Sequence, residues 1–288
     1  MTGLAAGCDC HVHVVGPAAQ FPQDAARTYT AAPAPAETLI DTAAPHGITR
    51  FVVVQPSFYG TDNGCTLAAL AQLGDHGRGV AVLGAETDTA TLRRLDARGI
   101  RGVRLNLYST ISRRAGTVAD DPLGPMLALA ARAGWHLELI APLADLAAMA
   151  ARVANTPVPV VLDHYGLFGS ATPTDADGAA LLALLARPHV WMKLSAPYRV
   201  SPEALATRPP SAWLNALLKA APDRCVWGSD WPHTPPHAAQ TGTRHTLAYR
   251  PIAYAGLVRD FVAAVGDPAA LARILVENPG RLYGFPPA

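Results

Sequence analysis

The 288-residue sequence predicts an α/β fold and, within that class, a (β/α)8 TIM barrel. Three observations favour it: short β-rich runs alternate with longer helical runs, eight such runs are present, and the length suits a barrel of about 250 residues or more. The alternative is a doubly wound open sheet, which usually carries a glycine-rich turn after its first strand. The turn here reads VVGPAAQ (14–20) and lacks that fingerprint, so we prefer the barrel.

The eight predicted strands follow one another along the chain. They are CDCHVHVV (8–15), RFVVVQPS (50–57), GVAVLGAE (79–86), GIRGVRLNL (99–107), WHLELIA (135–141), PVVLDHYG (159–166), HVWMKLSA (189–196) and RCVWGSDW (224–231). Apolar residues recur every three or four positions in the segments between them, which is typical of amphipathic helices. Such helices are predicted in CTLAALAQLGDHG (65–77), TATLRRLDARG (89–99), PMLALAARAG (125–134) and LADLAAMAARVAN (143–155).

The composition indicates a globular protein with a sizeable core. Half of the residues are apolar, 16% are charged and the net charge is +1, so we expect no nucleic-acid partner. We also expect no membrane association, because no apolar run approaches ~20 residues, and no secretory signal. Four cysteines, interpreted as reduced thiols, favour a cytoplasmic protein. No linker, repeat or charge block divides the chain, so residues 1–288 are expected to form a single domain, and a homo-oligomer is left open.

Alternation of side chains along a strand predicts which residues point into the barrel. In the first strand, Asp9, His11 and His13 share the face that we expect to line the interior. The opposite face is expected to pack under the helices and carries Cys8, Cys10, Val12 and Val14. Because Cys8 and Cys10 lack the two-residue gap of a zinc knuckle, we interpret them as packing residues.

Polar residues occur near the ends of six predicted strands. They are His11, His13, Ser57, Arg104, His164, Lys193, Ser195 and Asp230. Active sites of TIM barrels lie at the C-terminal ends of the strands. This convergence therefore predicts an active site at one mouth of the barrel.

Some of these residues also have a structural interpretation. Arg104 could be a core arginine, but no matching carboxylate is evident, so an anion site is favoured and Arg104→Met is expected to impair substrate capture more than stability. Lys193 is expected to face Glu138 inside the barrel, either as a structural pair or as part of the site. Asp163, next to His164, is expected to face outward and to be structural.

Several of these motifs occur together, in order, in a known family. The runs HVH (11–13), GVRLN (102–106), LDHYG (162–166), MKLSAPYR (192–199), GSDWPH (228–233) and NPGRLYGF (278–285) resemble the amidohydrolase superfamily in its second large branch. Within that branch the sequence is most similar to the 2-pyrone-4,6-dicarboxylate lactonases and their relatives. The resemblance runs nearly end to end and implies an amidohydrolase-type barrel.

The resemblance also implies roles for individual residues. Asp230 would be the general base that activates water. The histidines His11, His13 and His164 would stabilise the oxyanion. A second set would bind the substrate or support the base: Arg104, Arg199, Ser57, Tyr59 and His233. The implied reaction is hydrolysis of the ester of a small carboxylated lactone.

Two positions depart from the family pattern. Relatives carry a second arginine six residues after the equivalent of Arg104, where this chain has Thr110, and a tyrosine at the end of strand five, where it has Ile140. Arg113 and Arg114 lie nearby and could replace the lost charge. The departures favour a substrate with one carboxylate.

The resemblance leaves the metal open. His11, His13, His164 and Asp230 could hold one divalent ion, most plausibly zinc. The fourth and fifth strands end in Leu107 and Ile140, without the further ligand that metal-dependent relatives use, so a metal-free enzyme is our first expectation. Alternatives of the same branch are a lactone isomerase and a metal-dependent decarboxylase. A non-catalytic binding protein is disfavoured because all four polar residues are present.

Overall fold

The predicted strands form one parallel sheet that curls into a barrel. The structure, a computed structural model, describes residues 6–108, 122–203, 205–235 and 245–286. The strands pair in chain order, each with the next. Their bounds are β1 (Gly7–Val12), β2 (Ile48–Val54), β3 (Gly77–Ala81), β4 (Ile100–Asn106), β5 (His136–Ile140), β6 (Val160–Leu162), β7 (Val190–Ser195) and β8 (Cys225–Gly228). The prediction of an eight-stranded (β/α)8 barrel is confirmed.

Two backbone hydrogen bonds join the two ends of the sheet. The N–H of Asp230 donates to the carbonyl oxygen of His11, and the N–H of His13 donates to that of Trp231, each over 2.8 Å. They connect β1 and the residue after it to the segment after β8, so the backbone alone places Asp230 beside His11 of β1 and His13 directly after β1.

Helices connect the strands on the outside. They are α1 (Ala36–Ala43), α2 (Gly64–Leu73), α3 (Thr89–Ala97), α4 (Leu123–Ala133), α5 (Leu143–Ala154), α6 (Ala176–Leu185), α7 (Ser211–Ala220) and α8 (Tyr254–Val265), with α9 (Pro268–Ala272) and α10 (Asn278–Tyr283) at the C-terminal end. The side chain of Asp88 caps α3 by accepting from the N–H of Thr91 over 2.8 Å, which satisfies one of the free donors of a helix N-terminus. In the parts of the chain that the structure describes, no helix is long and apolar enough to cross a membrane.

The lower half of the barrel interior is apolar, which corrects one expectation. Cys8 and Cys10 do not pack under the helices. They belong to a separate buried cluster with Val52, Val54, Val80, Val226, Tyr283 and Phe285. The last two residues come from the C-terminal segment, which therefore covers the end of the barrel where the strands begin.

Asp9 also differs from its prediction, because it faces the helices. Its carboxylate accepts hydrogen bonds from the hydroxyl of Tyr254 in α8 over 3.0 Å and from the N–H of Ser229 over 2.9 Å. The register between β1 and β2 shifts between Asp9 and Val12. Strict alternation is lost there, so His11 points inward although Asp9 does not.

Gly228 in β8 allows the close approach of β1 at the level of the site. A Cβ atom at Gly228 would lie 2.7 Å from the Cβ of His11 and 2.9 Å from its backbone nitrogen. Both distances are shorter than real Cβ contacts, so only glycine fits without a shift of β1.

We expect Gly228→Ala to destabilise the protein by about 1–3 kcal/mol, the usual cost of overpacking, and to displace His11. Denaturant unfolding followed by circular dichroism measures the loss. Gly84→Ala is the matched control, since nothing lies within 4 Å of a Cβ at that position. Equal stabilities of the two variants would contradict the prediction.

Candidate active site

Six of the predicted residues line one cleft at the C-terminal ends of the strands. The cleft has a volume of about 330 Å³, which includes space open to solvent. The six residues are His13, Ser57, Arg104, His164, Arg199 and Asp230. Its lining also includes residues that sequence reasoning missed, namely Tyr29, Phe58, Asn106 and Thr234. Ile140, expected from the sequence to replace a tyrosine, presents an apolar side chain here.

Three histidines and one carboxylate are grouped at the floor of the cleft, where His11 is completely buried behind the lining residues His13, His164 and Asp230. The ring of His11 lies 5.1 Å from that of His13 and 4.7 Å from that of His164. Oδ1 of Asp230 lies 3.3 Å from Nε2 of His13 and 3.7 Å from Nε2 of His11. These groups are therefore close enough to act on one small ligand, as the sequence predicts.

Unusual backbone conformations aim two of these side chains. His164 and Asp230 follow the last residues of β6 and β8 with φ of 49° and 61°, in the left-handed region. Such conformations cost about 1–3 kcal/mol each and occur mainly at functional sites. They end the alternation of the strand and turn both side chains inward.

The two oxygens of Asp230 have different surroundings. Oδ2 accepts hydrogen bonds from the hydroxyl of Tyr198 and from Nε of Arg199, each over 2.7 Å, and Nη2 of Arg199 lies 2.7 Å away. Oδ1 is buried and has no hydrogen-bond partner among the described residues. The carboxylate is thus fixed through one oxygen while the other faces the histidines.

The electrostatic surroundings keep Asp230 ionised and keep His11 and His164 neutral. Burial alone would raise the pKa of Asp230, but the charge of Arg199 brings that pKa well below its usual range. Burial lowers the pKa of His164 to about 3. Burial, followed by the charge of Lys193, lowers the pKa of His11 well below its usual value.

Tyr198 is the functional residue that sequence reasoning missed most clearly. Besides donating to Asp230, its hydroxyl lies 3.4 Å from Nδ1 of His233. His233 therefore contacts Asp230 through Tyr198 and through its own backbone N–H, which donates to the carbonyl of Asp230 over 2.8 Å. Arg199 also donates from Nη2 to the hydroxyl of Thr234 over 2.7 Å.

A buried network of charges lies directly beneath the histidines. Lys193 donates a short hydrogen bond to Glu138 and lies 3.5 Å from Oδ1 of Asp163. The prediction that Asp163 faces outward is therefore wrong. Because the residue after it, His164, takes the left-handed conformation, both neighbouring side chains point into the barrel. Burial alone would raise the pKa of Asp163, but the charge of Lys193 brings that pKa well below its usual range.

The same network corrects the interpretation of Arg104. Nη2 of Arg104 lies 3.4 Å from Oδ2 of Asp163, and its Nε lies 3.6 Å from Oε1 of Glu138. Matching carboxylates are thus present. Arg104 both supports the interior and contributes to the lining of the cleft.

Two groups of predicted residues stand apart from the cleft. Tyr59 is buried with its ring 5.0 Å from that of Phe58, and it is not part of the cleft lining. The role predicted for Tyr59 thus gains no support from its position. Thr110, Arg113 and Arg114 lie outside the described residues.

The floor of the cleft has the spacing of a metal site. Ligand atoms of His11, His164 and Asp230 lie within 4.8 Å of one another, and Nε2 of His13 faces the same carboxylate oxygen. Nitrogen and oxygen donors of this kind suit zinc. A ligating imidazole nitrogen must be unprotonated, however, so the fit depends on which nitrogen of His11 carries its proton.

The sequence model of the Amidohydrolase family matches residues 8–285. The chain belongs to the amidohydrolase family. This amidohydrolase is 32% identical to the 2-pyrone-4,6-dicarboxylate hydrolase of Comamonas testosteroni, over 97% of the chain and 90% of that protein. It is 30% identical to the 4-sulfomuconolactone hydrolase of Rhizobium radiobacter, with 96% and 89% covered. The resemblance inferred from the motifs is confirmed.

The chain is also similar to a relative that is named for a different reaction and to a solved structure that shows the fold. The D-galactarolactone isomerase of Agrobacterium fabrum is 30% identical, over 84% of this chain and 78% of that protein. An apo crystal structure from Agrobacterium tumefaciens superposes with a TM-score of 0.80 at 26% identity, with 99% of this chain and 97% of the other covered. That similarity confirms the amidohydrolase-type barrel.

We expect Arg104→Met to destabilise the protein by about 3 kcal/mol or more, because Asp163 and Glu138 then keep only Lys193 as a cationic partner. Urea unfolding measures this loss. Arg101→Met is the control on the same strand: its ion pair with Asp96 is 32% and 50% exposed, so its loss should cost at most about 1 kcal/mol. If both variants lost equally little, Arg104 would have no structural role.

Proposed function

We propose that this amidohydrolase is a lactonase that hydrolyses a small cyclic ester bearing one carboxylate, with Asp230 as the general base. One observation carries the proposal: Asp230 is buried and ionised, fixed through Oδ2, and directs an unpartnered Oδ1 at a cluster of histidines. The similarity to two hydrolases, one named for a lactone and one for a pyrone, supports the same reaction class.

The chemistry follows from the arrangement of these groups. Asp230 takes a proton from water as the water oxygen attacks the ester carbonyl carbon. The oxyanion that forms is stabilised by N–H donors of the histidine cluster, among which Nε2 of His11 has no partner in the described structure. When the ring C–O bond breaks, protonated Asp230 returns its proton to the leaving oxygen, and the product is the open-chain acid.

The low basicity of Asp230 narrows the choice of ester. A carboxylate whose pKa is well below its usual range is a weak base, so it gives limited help to the attack of water on an unreactive ester. In enol esters and other activated lactones, the ring oxygen leaves more readily than in simple alkyl lactones. We therefore expect activated lactones to be the better substrates.

The charges around the cleft suit a single substrate carboxylate. Three cationic side chains and three acidic ones contact one another in the networks described above: Arg104, Arg199, Lys193, Asp163, Glu138 and Asp230. These contacts occupy most of the N–H groups of the three cations and leave few of them for a substrate carboxylate. Nη1 of Arg199 makes no hydrogen bond to any of the described residues and is our candidate for the carboxylate contact.

Isomerisation of a lactone is the second candidate, because the same carboxylate could move a proton between two substrate atoms. The similarity to a galactarolactone isomerase favours considering it. Turnover in ¹⁸O-labelled water separates the two reactions: hydrolysis places one label in the carboxylate product, whereas isomerisation by proton transfer incorporates none.

We propose that the reaction needs no metal. In the alternative, one zinc ion held by His11, His13, His164 and Asp230 would lower the pKa of a bound water. Activity that persists after dialysis against a chelator, with metal analysis of the dialysed protein, supports the first proposal. Loss of activity that zinc restores would overturn it.

Four buried free thiols are compatible with the cytoplasm, where we place the protein.

Asp230→Asn should lower the hydrolysis rate by ~10²–10⁴-fold, since the amide keeps the shape but cannot accept the proton. The measurement is kcat on a panel of lactones with no, one or two carboxylates. Asp88→Asn, at an exposed helix cap, is the control and should retain full activity. An unchanged kcat in Asp230→Asn would remove Asp230 from the role of base.

Arg199→Gln should shift the acid limb of the pH–rate profile to higher pH. The base works only when ionised, and Arg199 lowers its pKa. Without this charge the pKa of Asp230 rises, so activity disappears at a higher pH as the medium is acidified. The exposed Arg93→Gln is the control. Identical acid limbs in wild type and Arg199→Gln would contradict this assignment.

A further inference from the structure

Lys193 makes a contact that its ion pairs do not explain. Its ammonium group is fully buried and is paired with Glu138 and Asp163, which offsets the cost of burying the charge. Its Nζ also lies 3.2 Å from Nδ1 of His11 in hydrogen-bonding geometry. This third contact joins the charge network to the catalytic floor.

The contact determines which nitrogen of His11 carries the proton. An ammonium group has three donors and no acceptor, so Nδ1 of His11 must accept from Lys193 and cannot itself bear hydrogen. In a neutral ring the hydrogen is then on Nε2. The ring of His11 is neutral as long as Nδ1 accepts this hydrogen bond.

A hydrogen bond to Asp163 would require the other tautomer of His11, with hydrogen on Nδ1, but the geometry disfavours it. Its Oδ1 lies 3.4 Å from Nδ1 of His11 and could accept a hydrogen from it. That oxygen, however, makes no hydrogen bond within the described structure, whereas Nζ of Lys193 lies closer to Nδ1, at 3.2 Å, and in hydrogen-bonding geometry. A hydrogen on Nδ1 would also point at the N–H groups of the ammonium.

His13 is in the reverse state. Its Nδ1 lies 2.7 Å from the carbonyl oxygen of Val54. A carbonyl oxygen only accepts, so Nδ1 of His13 carries hydrogen and, in the neutral ring, Nε2 presents a lone pair toward Asp230. The two histidines of the HVH run therefore present opposite hydrogen-bonding groups to one cleft.

We propose that Lys193 is a positioning residue that fixes His11 in the Nε2–H tautomer and thereby makes it a hydrogen-bond donor to the substrate. This role rests on the proposed lactonase function, because it concerns a hydrogen bond to the lactone substrate. A donor at Nε2 suits an oxyanion. The same tautomer opposes metal binding. A nitrogen that binds a metal must offer a lone pair, and Lys193 keeps the lone pair on Nδ1 and the hydrogen on Nε2.

Removal of Lys193 should reverse the state of His11. In Lys193→Met, no donor faces Nδ1, so that nitrogen can carry the hydrogen and donate to Asp163. Nε2 of His11 and Nε2 of His13 then both present lone pairs next to Asp230. The variant should bind zinc more tightly than wild type by about tenfold or more, the usual size of effects from residues behind a ligand.

The tautomer is measured directly by long-range ¹H–¹⁵N correlation spectra of ¹⁵N-histidine-labelled protein without substrate or metal. His11→Gln assigns the resonance. We expect Nε2–H in wild type and Nδ1–H in Lys193→Met. Lys219→Met is the control, since Lys219 is the exposed and only other lysine of the chain, and it should leave the His11 signals unchanged. Zinc affinity is then compared by calorimetry for the same proteins.

A second variant keeps the test possible if Lys193→Met does not fold. Lys193→Met combined with Glu138→Leu removes one charge of each sign and introduces no new donor, and buried ion pairs are often replaceable in this way. Circular dichroism and thermal unfolding confirm that the variant is folded before its spectra are compared.

Three results would overturn the inference: Nδ1–H at His11 in wild type, an unchanged tautomer in both Lys193 variants, or no gain in zinc affinity after the tautomer changes. None of these measurements requires turnover. A protein without lactonase activity can still show the Nε2–H tautomer, and an active lactonase can lack it, so the two proposals fail separately.

Discussion

The structure depends on the neutralisation of charge inside a barrel that excludes water. Lys193, Glu138 and Asp163 are fully buried, and an isolated charge in such a position would be strongly unfavourable. Their mutual contacts remove this penalty and at the same time fix the positions of three strands, β5, β7 and the end of β6. The catalytic groups are placed on this layer, so the support and the chemistry share residues.

The side chains inside the barrel lie in layers along its axis. This arrangement explains why a few residues suffice for the reaction. An apolar layer of cysteines, valines and the C-terminal Tyr283 covers the bottom, the charge network follows, and the histidines with Asp230 form the floor of the cleft. Burial keeps His11 and His164 neutral, while Arg199 keeps Asp230 ionised. Opposite protonation behaviour of neighbouring groups is what a site for proton transfer requires.

Sequence reasoning succeeded where the backbone is regular and failed where it is not. The regular alternation of β4 places Val103 and Leu105 toward the helices and Arg104 toward the interior. Sequence reasoning failed at Asp9 and at Asp163, because a register shift in β1 and a left-handed residue after β6 interrupt the period of two. Neither irregularity leaves a pattern in the sequence.

Residues from distant parts of the chain were the other limit. The phenol of Tyr198 reaches Asp230 only because the turn after β7 lies beside the end of β8, and no spacing within the sequence indicates that contact. The same limit applies to the HVH run itself. Its spacing predicts two histidines at one site, but whether each nitrogen donates or accepts is decided by Lys193 on β7 and by a carbonyl of β2. An identical motif can thus serve an oxyanion or a metal, and the difference lies in residues 182 positions away for one histidine and 41 for the other.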